Sequence, residues 1–145
     1  MADVTVLLAE DHTIVRKGLR SLLDGQPGIR VVGEAEDGRE ALAQVERLKP
    51  DIVLMDISMP LLNGIEATRQ IRALRAGTRV IVLTVHSHEE YVLQALHAGA
   101  RGYLPKSAAP DELVAAIRAV SQGEPFLSQS LPCTAAAECL RKAAP

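Results

Sequence analysis

Five short apolar runs, each followed by a segment of helical periodicity, confine this chain to a narrow set of folds. Val4 to Ala9 is continuous and rich in β-branched residues, which reads as a buried strand. Val15, Leu19, Leu22 and Leu23 then recur at helical spacing. Ile29 to Ala35 is a strand of mixed character, because Arg30 and Glu34 interrupt its apolar set. Asp37 is placed to cap a second helix with Leu42, Val45 and Leu48 on its inner face, and Pro50 stops it. Ile52 to Met55 is again wholly apolar. Pro60 and the Asn63-Gly64 pair mark a loop, with Gly64 expected in a turn that needs positive φ. Ile65, Thr68, Ile71 and Leu74 then fall on one side of a third helix, and Val80 to Leu83 is the next buried strand. Glu89 and Glu90 suit the start of a fourth helix, where the macrodipole favours acids; Val92, Ala95 and Leu96 face inward and Gly99 ends it. Gly102 to Leu104 makes a short fifth strand. Pro110, Asp111 and Glu112 open a fifth helix, with Leu113, Ile117 and Val120 inward and Gly123 at its end.

Strand and helix in strict alternation predict an α/β fold: one doubly wound (βα)5 domain around a parallel five-stranded sheet. The first, third and fourth strands are the most apolar, so the order 2-1-3-4-5 puts them in the middle and the two weaker strands at the edges. Residues 1–122 are expected to form this domain. Residues 123–145 change character, with Pro125, Pro132 and serines followed by an Ala-rich stretch; they read as a linker and tail, with a weak helix from about Thr134 to Lys142. The chain has 145 residues, of which 48% are hydrophobic and only 2% aromatic, so the core must be aliphatic.

A net charge of -2 with no basic run argues against nucleic-acid binding by this segment alone. The apolar runs are too short to span a membrane, and the N-terminus lacks the basic start of a secretory signal. A cytoplasmic protein is expected. Cys133 and Cys139 match no zinc or redox spacing. His86 and His88 have no evident third ligand, and no GxGxxG or GxxxxGK loop is present.

In an open parallel sheet, ligands bind outside the carboxyl ends of the strands. Glu10 and Asp11 follow the first strand, Asp56 ends the third, Thr84 ends the fourth and Lys106 follows the fifth. Three acids, a hydroxyl and an ammonium thus meet on one rim. Two carboxylates about 4 Å apart repel by roughly 4 kcal/mol at an effective dielectric of 20. A hard cation removes that cost, and Mg²⁺ is commonly held by one or two carboxylates plus a phosphate. The set therefore points to Mg²⁺ and a phosphoryl group. Asp56 is the expected nucleophile, Lys106 pairs with a phosphoryl oxygen, and Thr84 donates to another.

LLAEDH, VLMDISMPLLNG, VLTVH and GYLPK, in this order and spacing, resemble the receiver domain of two-component response regulators. EDHTIVRKGLRSLL and AGARGYLPKSAAPDEL are closest to the NarL/FixJ branch, whose members usually carry a LuxR-type helix-turn-helix. The resemblance covers roughly residues 4 to 122 and implies a flavodoxin-like fold. It further implies that Asp56 accepts a phosphoryl group from a sensor histidine kinase. Asp11 and Asp56 hold Mg²⁺ with the backbone carbonyl of Ser58, and Glu10 assists through water. Thr84 and Tyr103 form a switch pair, and Lys106 contacts the phosphoryl group. Phosphorylation would draw Thr84 toward Asp56 and let Tyr103 turn inward. Homodimers through helices one and five, or four and five, are implied as well.

Three positions depart from the family pattern. Pro105 precedes Lys106 and Ser107 follows it, so no cis bond after the lysine is expected. Val85 is bulkier than the small residue common after the switch threonine, and Ala109 stands where a capping Ser or Asp would be stronger. The segment after Gln122 is too short for a helix-turn-helix, so DNA is expected as a partner only through a missing output domain. Such a protein is not a conventional enzyme. Two alternatives stand beside the transcription-regulator reading. One is a stand-alone receiver. The other is a Mg²⁺-dependent phosphatase with an aspartyl nucleophile, against which Ser58 occupies the place of the usual second Asp.

Overall fold

A computed structural model describes residues 3–57, 63–75, 77–85 and 89–128, the side chains of 89–91 apart. Five strands alternate with five helices: β1 (Val4–Ala9), α1 (Thr13–Asp24), β2 (Ile29–Ala35), α2 (Gly38–Leu48), β3 (Ile52–Asp56), α3 (Gly64–Leu74), β4 (Arg79–Thr84), α4 (Glu89–Ala98), β5 (Gly102–Pro105) and α5 (Pro110–Ser121). A sixth, two-residue strand comes last, β6 (Phe126–Leu127). All pair in parallel, in the order β2-β1-β3-β4-β5-β6. The expected order 2-1-3-4-5 is present within it, and the fold is the doubly wound, flavodoxin-like one.

β6 is the addition. Phe126 N donates to Arg101 O and Ser128 N to Tyr103 O, so the chain after α5 closes the open edge of β5. Its two residues are too few for periodicity to reveal, and Pro125 before them reads as a breaker. The sheet therefore continues past Gln122, where the βα pattern ends. The weak helix expected over Thr134 to Lys142 lies outside the described residues.

Two aliphatic cores flank the sheet. On one face Leu7, Val53, Met55, Val82 and Tyr103 pack with Ala41 and Val45 of α2, Ala67 and Ile71 of α3, and Val92, Ala95 and Leu96 of α4. On the other, Val6, Leu8, Ile52, Leu54, Ile81 and Leu104 pack with Leu23 of α1 and with Leu113, Ala116, Ile117 and Val120 of α5. β3 is buried at every position and β4 at all but its first, which is why their sequences are continuous apolar runs.

β2 carries a bulge. Val6 pairs with Val31, but Leu7 pairs with Gly33, so Val32 is skipped. Ile29 and Val31 consequently face α1 and α5 while Ala35 faces α2. Gly33 lies under α2, where a Cβ would stand 2.5 Å from Gln44 Oε1 and 2.8 Å from Leu48 Cδ1.

Asp37 caps α2 as expected, its Oδ1 accepting from Glu40 N at 2.8 Å. Ala109 precedes α5 without a side-chain cap. Two inner stripes differ from the expected ones. In α1, Arg16 is buried and Val15 is 38% exposed; in α3, Ala67 is buried and Leu74 is 47% exposed. A hydropathy reading favours the larger apolar residue, whereas the helix places inward whichever residue the helical angle dictates.

Candidate functional site

β1 and β3 are neighbours, which sets Glu10 and Asp11 beside Asp56 at the carboxyl edge of the sheet. Glu10 and Asp56 are buried, 3% and 4% exposed, and Thr84 is fully buried at the end of β4. Ligand atoms of Glu10, Asp11, His12 and Asp56 all lie within 4.8 Å of one another. Lys106 reaches across from beyond β5. Its Nζ lies 2.5 Å from Glu10 Oε1 and 3.3 Å from Asp56 Oδ2. Lys106 N also donates to Thr84 O at 2.8 Å, which ties the lysine to the end of β4. The residues expected at this rim are thus together. Ser58 lies outside the described residues, as do His86 and His88.

Electrostatics reflect this crowding. Burial pushes the Glu10 carboxyl up, but it is outweighed. The Lys106 ammonium, the Asp56 carboxyl, and the His12 amide and ring bring Glu10 down to about 2. Burial likewise presses Lys106 down, and the Glu10 and Asp56 carboxylates raise it above its ordinary value. Lys106 therefore stays charged and offsets part of the acids' mutual repulsion.

The donor set fits a hard divalent cation. Asp11 Oδ1 is shielded from water and makes no hydrogen bond; His12 Nδ1 lies 3.3 Å from it. A buried carboxylate oxygen left in that state is costly, and a cation relieves it. Three carboxylates in reach of one point are the oxygen-rich set Mg²⁺ prefers.

Two contributors were not singled out from the sequence. His12 follows the acid pair; its N and Nδ1 both approach Glu10 Oε2, at 3.2 and 3.1 Å. Arg16, one helical turn later, donates from Nη1 to Glu10 O at 2.8 Å. The signal for Arg16 was present: it stands three and seven residues before Leu19 and Leu23, on the stripe that turns inward. Gly64 was expected to need positive φ, and it does not adopt one. It is required for a close approach instead. A Cβ there would stand 2.3 Å from Asp56 O, because Gly64 N donates to Ile57 O and folds the start of α3 onto the end of β3.

Tyr103 is fully buried on β5, packed in the core shared with α4, so it is not a plain surface aromatic of an edge strand. Val85 is 72% exposed beside the pocket.

Comparison with known proteins gives a consistent result. The family model described as response regulator receiver domain matches residues 6–118. The chain is 44% identical over 128 residues to the response regulator UvrY of Escherichia coli (strain K12), covering 88% of this chain and 59% of that protein. It is 40% identical over 127 residues to the nitrate/nitrite response regulator protein NarL of the same organism, again covering 88% and 59%. The chain thus spans about three fifths of the length of these relatives. The crystal structure of a two-component response regulator of the LuxR family from Aurantimonas sp. SI85-9A1 superposes with a TM-score of 0.85 at 39% identity, covering 97% of each chain. Among the described residues, no helix is long and apolar enough to cross a membrane.

Proposed function

The chain belongs to the response-regulator receiver family, on the NarL/LuxR branch, and from that premise we propose that Asp56 is its phosphoacceptor in a Mg²⁺-dependent reaction with a sensor histidine kinase. The observation that carries the reading is the convergence of Glu10, Asp11, Asp56 and Lys106 on one rim.

An Asp56 carboxylate oxygen attacks phosphorus. The bond from phosphorus to the donor breaks, and its electron pair leaves with the donor, which takes up a proton. Mg²⁺, held by Asp11, Asp56 and the Ser58 carbonyl with Glu10 assisting through water, would neutralise charge on the phosphoryl oxygens. Lys106 stays protonated and pairs with a further phosphoryl oxygen, exchanging its present carboxylate partners for the new anion. Thr84 donates its hydroxyl to another. Thr84 and Tyr103 then act as the switch pair. Tyr103 already lies inward here, so phosphorylation would act by holding that arrangement rather than by creating it.

The output we propose is control of transcription by a cytoplasmic regulator, through a DNA-binding helix-turn-helix domain outside this chain. Homodimers would form through α1 and α5, or α4 and α5. As a signalling module the protein catalyses only its own phosphorylation and dephosphorylation.

Incubation with acetyl phosphate and Mg²⁺ should add the mass of one phosphoryl group to the intact chain. Asp56→Ala should add none while folding normally. Phosphorylation of the Asp56→Ala protein to the wild-type extent would refute the assignment.

A further inference from the structure

Arg16 is 7% exposed, and a guanidinium so placed has to be matched group for group. Its Nε donates to Glu34 Oε1 at 2.8 Å and its Nη2 to Glu36 Oε1 at 3.2 Å. Its Nη1 donates to the main-chain carbonyl of Glu10 at 2.8 Å. The first two bonds settle the charge; the third has a different effect. That carbonyl belongs to the peptide unit joining Glu10 to Asp11, which is a rigid plane. The preceding peptide is held as well, because Glu10 N donates to Ala35 O at 2.9 Å. Both peptides around Glu10 are therefore tied down, one to β2 directly and one to β2 through Arg16.

The Glu10 carboxylate is further held by Lys106 and His12, whereas the Asp11 side chain is less secured. Asp11 has His12 Nδ1 at 3.3 Å and no hydrogen bond to the buried oxygen that faces it. Main-chain anchoring is thus what sets the position of Asp11.

We infer that Arg16 is a positioning residue for the acidic pocket: by holding the Glu10–Asp11 peptide it presents both carboxylates to a divalent cation beside Asp56. This rests on the Mg²⁺ reading above. Arg16 touches neither the cation nor the phosphoryl group. Its charge is matched by Glu34 and Glu36, so its effect on the pocket is geometric rather than a through-space field. A methionine would fill the same space without desolvating a guanidinium, so what arginine adds is directional bonding. The bulge at Val32 serves the same arrangement, because it turns Glu34 toward α1.

Arg20 provides a control. It also pairs with Glu34, Nη1 to Oε2 at 2.5 Å, and also reaches Asp24, but it makes no bond to Glu10. Mg²⁺ binding is measured by titration calorimetry on the intact chain, alongside the rate of phosphorylation by acetyl phosphate as Mg²⁺ is raised. Arg16→Met and Arg16→Lys should each weaken Mg²⁺ binding about tenfold, the scale for residues that orient metal ligands. Their rates at saturating Mg²⁺ should return to wild type. Arg20→Met should bind Mg²⁺ as the wild type does. Arg16→Lys keeps a charge on a similar stem, so it carries the test if Arg16→Met does not fold. The inference is overturned if both folded Arg16 variants bind Mg²⁺ normally, if Arg20→Met weakens binding equally, or if the rate loss persists at saturation. Failure of the wild type itself to bind Mg²⁺ would overturn the metal reading, and the inference with it.

Discussion

Replacing Gly64 with alanine tests how tightly β3, which ends at Asp56, is joined to the helix after it. At ideal geometry the new Cβ stands 2.3 Å from Asp56 O, 2.7 Å from Ile57 Cα and 2.9 Å from Asp56 C. All three are main-chain atoms, so no side chain can rotate away. Comfortable separation for such pairs is about 3.5 Å. The β3–α3 junction must therefore open by roughly 1 Å, and the 2.8 Å bond from Gly64 N to Ile57 O is lost or stretched. Overpacking of this kind costs about 1–3 kcal/mol, and the hydrogen bond adds about 1 kcal/mol. Gly64→Ala should lose about 2–4 kcal/mol in urea unfolding, and at about 4 °C per kcal/mol the melting temperature should fall by roughly 8–16 °C. Gly18→Ala is the counterpart. Gly18 lies inside α1 and a Cβ there meets nothing within 4 Å, so alanine should stabilise by about 0.5–1 kcal/mol. A Gly64→Ala protein as stable as wild type would refute the argument.

Two further outcomes concern the charges in the pocket. In the folded protein Glu10 titrates at about 2 rather than 4.5, so its stabilising contribution is complete above 4.5 and disappears as pH falls toward 2; this amounts to roughly 3 kcal/mol. In metal-free urea titrations, Glu10→Gln should therefore be less stable than wild type near neutrality, and the difference should shrink across that acid window. Mg²⁺ at about a hundred times its dissociation constant should add about 2.7 kcal/mol to the stability. Differential scanning calorimetry should show Asp11→Asn losing most of that increment, and an unchanged increment would exclude Asp11 as a ligand.

The parts of the molecule buried on both sides were the easiest to read. β1, β3 and β4 are continuous apolar runs because they lie in the middle of the sheet under helices, and their ends led directly to Glu10, Asp56 and Thr84. Lys106 was legible by position alone, one residue past β5, although its grip on Glu10 was not. The hidden features depend on contacts distant in sequence. β6 pairs with β5 through two residues whose local pattern says nothing. Arg16 looks like a surface charge until Glu34, Glu36 and the Glu10 carbonyl surround it. Gly64 looks like a turn residue, and its real constraint, the Asp56 carbonyl, lies eight positions earlier. Leu74 and Val15 misled because size was weighed above helical angle.

The skipped residue in β2 resets the phase of that strand halfway along. Upstream of Val32, odd-numbered side chains point toward α1; downstream, even-numbered ones do. Arg30 and Glu34, four apart, would share a side in a regular ladder, yet they end on opposite sides. Were Leu7 to pair with Val32 instead of Gly33, every residue from there onward would change sides. Glu34 would swing across the sheet toward α2, taking with it the acid on which Arg16 leans. A one-residue irregularity in a marginal strand, remote from Asp56 in the chain, thereby decides which side of the sheet receives the counter-charge for Arg16.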